Sequence, residues 1–162
     1  MKRKTFKLAL CFFIVLTVAA GASAKAPPRS VLGLSPGMSE EAAHRVLRRV
    51  ARQQKDEGKK EEEEGGRDEV WLLERHTDFA KVIVGFDAKN HVRYVTALAK
   101  EEGHRMSYSE VATLKDAKVE ESGVFRRYTW EVKPGKKSRG YLIIAQGRDP
   151  QYLMSLSIKQ RD

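Results

Sequence analysis

Three patterns of apolar and polar positions succeed one another along this chain. Leu8 to Ala20 is a continuous apolar run. From Ser39 onward the spacing becomes helical, with Ala43, Val46, Leu47 and Val50 on one side and Arg45, Arg48, Arg49 and Arg52 on the other. Ser39 can cap the first turn, and Glu40 and Glu41 suit its dipole, so a helix is predicted to run to about Lys55 before Gly58. Further on, six stretches read as strands: Val70 to Glu74, Lys81 to Phe86, His91 to Ala99, Phe125 to Val132, Gly140 to Gln146 and Tyr152 to Lys159. Asp87-Ala88-Lys89-Asn90 is a tight connection between the second and third. A shorter helix, Tyr108 to Ala117, opens on the capping-box pattern of Ser107 and Glu110.

This order predicts an α+β fold, with helices packed on an antiparallel β-meander. It also suggests two successive helix-plus-three-strand units, residues 32–103 and 104–162, forming one or two sheets within a single domain over 32–162. Val82 to Asp87 sits 60 residues ahead of Leu142 to Gly147, and His91 to Val95 matches Gln151 to Ser155 at the same offset. Two unrelated hairpins with similar loop lengths would give the same appearance.

The start of the chain adds a location. Lys2, Arg3, Lys4 and Lys7 precede the apolar run, and Ala22-Ser23-Ala24 offers a small-x-small cleavage site, so residues 1–24 are expected to be a signal peptide cut before Lys25. The run is short for a permanent span. A periplasmic or secreted protein follows, and cytosolic or nuclear work is disfavoured. The single cysteine, Cys11, lies inside the signal, so no disulfide is expected. Leu10 precedes it and most of the apolar run follows it, which argues against a lipoprotein. Residues 25–31, with Pro27-Pro28, read as an extended leader without packing signals.

Charge changes this picture little. The chain holds 31 basic and 22 acidic residues; removing the signal takes four of the basic ones and leaves a net of +5. That is a mild attraction to anionic surfaces, and no nucleic-acid partner is expected. Lys59 to Asp68, with Glu61 to Glu64 at its centre, reads as a solvated, mobile loop; adjacent carboxylates lack the spacing of a calcium loop.

No catalytic motif stands out. His44, His76, His91 and His104 lack metal-ligand spacing, and there is no GxSxG elbow or phosphate loop, so no catalytic residues, metal or cofactor are expected. Two basic clusters remain. Arg45, Arg48, Arg49 and Arg52 form a stripe on the first helix, suited to carboxylates and phosphates, though a solvated face would look the same. Arg126, Arg127, Lys133, Lys136, Lys137 and Arg139 surround Tyr128 and Trp130, whose alternation marks them as core, as Trp71 is also expected to be.

The segment Leu32-Gly33-Leu34-Ser35-Pro36-Gly37-Met38-Ser39-Glu40-Glu41, with the helix it opens, resembles the start of the SmpA/BamE family of small envelope proteins, within a wider β-lactamase-inhibitor-like group. The likeness covers about Leu32 to Val50 and the order of elements. It implies a non-catalytic envelope scaffold or binding module, and the wider group includes tandem units. The chain departs from the family in lacking a lipid-bearing cysteine, in its Arg-, Lys- and Glu-rich stretch after the first helix, and in continuing into a second set of strands. The resulting expectation is an exported binding module with an envelope protein as partner. The alternatives are a binder of anionic glycans or lipid head groups through the basic clusters, and an inhibitor of an exported enzyme.

Overall fold

In a computed structural model, residues 24–53, 66–73, 76, 78–135 and 140–161 are described. Residues 1–23 of the expected signal, the acidic run Glu61 to Glu64, and Lys136, Lys137 and Arg139 lie outside them. Among the described residues no helix is long and apolar enough to cross a membrane.

Helix α1 runs Glu40–Val50. Ser39 is extended and its hydroxyl accepts the amide of Ala42, while Glu40 and Glu41 occupy the first turn and Arg48 and Arg49 the last. The helix stops well before Lys55, because Ala51 turns extended (φ −141°) and leads into β1, Arg52–Gln53. Arg52 therefore leaves the helical stripe, and Val50, expected on the core face, is 39% exposed.

β1 pairs with β2 (Arg67–Leu72), followed by β3 (Phe79–Phe86) and β4 (Val92–Ala99). Helix α2 is only Tyr108–Val111, with a 3₁₀ turn at Leu114–Asp116 before β5 (Lys118–Ser122), β6 (Phe125–Val132), β7 (Tyr141–Gly147) and β8 (Ser155–Gln160). All eight strands form one antiparallel sheet in the order β1-β2-β3-β4-β8-β7-β6-β5. The expected helix to Ala117 breaks at Ala112 because Thr113 is bonded elsewhere. Its carbonyl accepts Trp130 Nε1 at 3.0 Å, and its amide and hydroxyl donate to the Lys25 carbonyl at 3.0 and 3.2 Å. Those bonds also correct the reading of the leader: Lys25 is fastened to the second half of the chain.

Each half thus contributes four strands, not three, and the halves meet edge to edge at β4 and β8. Their bonds match. The amide of Glu40 donates to Asn90 O as that of Tyr108 does to Gln151 O, and Val92 N–H reaches Met38 O as Leu153 N–H reaches Met106 O. Across the sheet, Trp71, Val82 and Ala97 form one row, and Trp130, Ile143 and Ile158 form its counterpart. Val82 thus corresponds to Ile143, one residue beyond the 60-residue offset. That single step matters, because Leu142 points to the opposite face from Ile143.

Both helices cover the face carrying those rows. His44 lies over Trp71 and Phe86, and Tyr108 packs on Tyr128 at 4.6 Å between ring centroids. Ala43, Leu47 and Val111 belong to the same buried core. Strand β5 was not foreseen, since its Lys-Val-Glu-Glu-Ser sequence is exposed throughout and charged, as suits an edge strand.

Three carboxylates in turns and caps carry a pH signature. Asp87 Oδ1 accepts the amides of His91 and Lys89, Asp149 Oδ1 those of Gln151 and Tyr152, and Glu110 that of Ser107. Backbone N–H groups favour the charged form, so all three titrate below their ordinary range. Depressed carboxylates add stability that is complete above the unfolded range, about pH 4, and is lost as pH falls through the folded values. The melting temperature should therefore drop below about pH 4. Asp87→Asn with Asp149→Asn keeps the acceptor oxygens, and a thermal melt series from acid to neutral pH should show a shallower drop for this pair.

Candidate functional site

The turns at one end of the sheet enclose a groove of about 1000 Å³. It lies where β3, β6 and β8 end and β4 and β7 begin, against the loop that precedes α1. Among the described residues, Arg29, Lys89, Arg93 and Lys133 line it, with His91 and a single carboxylate, Asp87. The Asp87 turn gives this rim its shape: Asn90 adopts φ 58°, which Asn tolerates, and the carboxylate closes the turn on its own amides. Tyr141, at the start of β7, also lines the groove, and its hydroxyl is buried without a hydrogen-bond partner among the described residues. Burial raises the phenol's pKa, opposed by the charge of Arg29.

A second polar cluster ties α1 to the sheet. Glu40 and His44 stand one turn apart on the helix, and alternation brings Arg67, Glu69 and Trp71 to the same side of β2. Glu69, only 11% exposed, accepts Trp71 Nε1 at 3.2 Å and faces His44 Nε2 at 2.8 Å and Arg67 Nε at 3.5 Å. Arg67 also pairs with Glu40, bonds Asn90 Oδ1 at 2.6 Å and stacks over Phe86; the Glu40 bond is the main reason its pKa is raised. Glu40, His44 and Glu69 stand close enough to ligate one metal ion. The guanidinium of Arg67 already supplies the positive charge between the two carboxylates, so the group serves as a helix-to-sheet clamp. No hydroxyl hydrogen-bonds to His44 among the described residues.

The residues singled out in the sequence are dispersed. Arg45 pairs with Glu41 at 3.0 Å, Arg48 donates to the His44 carbonyl at 3.3 Å, and Arg49 is exposed, while Arg52 sits in β1. The second cluster is split along β6. Arg126 pairs with Glu121 at 2.7 Å and Arg127 with Glu120 at 3.5 Å, on opposite faces, whereas Lys133 lies past the far end of the strand, in the groove. Trp71, Tyr128 and Trp130 are buried on the covered face, as their alternation implies.

The other face of the sheet is covered by no described element. A row crosses it through Val70, Ile83, Thr96, Ser157, Ile144 and Thr129. Thr96 and Ser157 share a 2.9 Å hydrogen bond at its centre, where the halves join. No protein-family model matches the chain, and neither does any curated protein or solved structure.

Proposed function

We propose that this chain is an exported, non-catalytic binding module of the cell envelope that holds a partner protein on the open face of its sheet. The observation that carries this reading is the continuous, uncovered row of small and β-branched side chains across six strands. Size decides whether such a face is adequate. Six strands about 4.8 Å apart and roughly 20–25 Å long offer on the order of 600 Å², near the ~800 Å² per partner of a standard interface.

Two further features support the reading. The cationic start, apolar run and small-x-small site at residues 1–24 suit export, and the Leu32 to Val50 segment resembles the SmpA/BamE start. The matched bonds around Ser39 and Ser107 and the paired tryptophan rows support descent from two helix-plus-strand units. Joining two such units edge to edge makes one wide face from two narrow ones.

The test is cross-linking in intact cells, with the tagged chain recovered and its partners identified by mass spectrometry. Ile83→Asp with Ile144→Asp puts one charge on the face in each half. Both side chains are half-buried on the open side, so the fold should survive with a loss of about 1 kcal/mol per site. A defined partner should be captured by the parent chain and lost in the double variant. Equal capture by both would remove the sheet face from the argument.

A further inference from the structure

We propose that the groove at the end of the sheet binds an oxyanion, a phosphate or a carboxylate carried on a polar body the size of a sugar. This site is independent of the sheet-face reading, since the groove contains no residue of the row from Val70 to Thr129.

The charge balance of the molecule is the first argument. Elsewhere several cations are matched: Arg67 with Glu40, Arg105 with Asp149, Arg126 with Glu121 and Arg161 with Glu131. In the groove, Arg29, Lys89 and Lys133 come from three separate segments and converge without an ion pair among the described residues. Its one carboxylate among the described residues, Asp87, accepts the amides of Lys89 and His91 and feels the charge of Lys89, and His91 Nδ1 stands 3.9 Å from it. Like charges gathered in excess of counter-charge raise the local potential and draw in an anion.

The second argument is the Tyr141 hydroxyl. A buried hydroxyl left unbonded costs about 1–3 kcal/mol, and buried polar groups in folded proteins are nearly always paired. Tyr141 Oη is the one such atom among the described residues, and its residue lines the groove with Arg29, whose charge acts on the phenol. A small swing of the Tyr141 ring toward the groove would let a ligand oxygen accept from this phenol and satisfy it.

The lining sets the rest of the ligand's character. Among the described residues, Pro36, Ala88 and Val132 offer apolar side chains beside the Tyr141 ring, and the charged groups stand among them. The groove is far larger than a bare inorganic anion needs. The side chains of Ser35 and Gln160 provide hydrogen-bonding groups for the hydroxyls of a sugar-sized ligand.

The test is an amide-shift titration of the ¹⁵N-labelled full chain with a hexose monophosphate, with glucuronate and with glucose. Saturable shifts confined to the turns around Gly37, Ala88 and Gly140 are expected with a charged sugar and not with glucose. Saturation by the hexose phosphate alone assigns a phosphorylated source, and by glucuronate alone a carboxylated one. Arg29→Glu with Lys133→Glu should weaken binding at least tenfold and leave the melting temperature nearly unchanged, since both side chains are exposed. Tyr141→Phe should weaken binding several-fold while the melting temperature holds or rises, because the unbonded hydroxyl is gone. Shifts that fail to saturate, shifts as large with glucose, or equal affinity in both variants would overturn the proposal.

Discussion

Trp130→Ala is expected to lower the unfolding free energy by about 3–5 kcal/mol, which is a large share of the stability of a domain this size. Trp130 is 1% exposed in the middle of β6, across from Ile143, and its indole N–H holds the Thr113 carbonyl at 3.0 Å. Truncation would leave a cavity under the sheet and also free the segment that ends α2. Urea denaturation checks both parts. Trp130→Phe keeps most of the volume and loses the hydrogen bond, so it should cost about 1–2 kcal/mol. If alanine and phenylalanine cost the same, packing beneath the sheet contributes little and the fastening of Thr113 carries the effect.

Gly147→Ala should be the most damaging of the glycine replacements, at about 1–3 kcal/mol or more. A methyl group there would meet the Tyr152 carbonyl oxygen and Tyr108 Oη at 2.9 Å and the Met154 amide at 3.0 Å. Two of those three neighbours are backbone, and the third is the phenol of a fully buried ring. Gly85 offers a useful contrast. Its nearest neighbours are ring atoms of Tyr94, half-buried on the open face, and that ring can swing aside at the cost of its bond to Asp68. Calorimetric melts should therefore rank Gly147→Ala below Gly85→Ala. The reverse order would show that β7 can move away from α2.

Much of this architecture was legible because it is local. Phe125–Val132 was readable to the residue from its period of two, and the Ser107–Glu110 capping box is present as its spacing implies. What was missed depends on distant partners. β5 has no apolar alternation and exists because β6 offers it an edge. The α2 helix is cut short by bonds that Thr113 makes to Lys25 and Trp130, which helical spacing cannot anticipate. The clamp was half visible: Glu40 and His44 stand one turn apart, but Arg67 and Glu69 lie on the inward face of β2, where a pattern reading expects apolar residues. The groove had no local signal at all. Its cations lie in separate segments with no shared period, and only Lys133 belonged to a cluster picked out in the sequence.

The way the two halves join also fixes an order of events in a chain made from its N-terminus. Thr96 of β4 meets Ser157 of β8 only 61 residues later, so the first four strands emerge with a bare edge that the last strand alone completes. Lys25 waits longer still, 88 residues, for Thr113 to bond its carbonyl. What is made first is thus secured late, and until β8 arrives the unpaired edge of β4 is the place where a nascent chain would catch a neighbour.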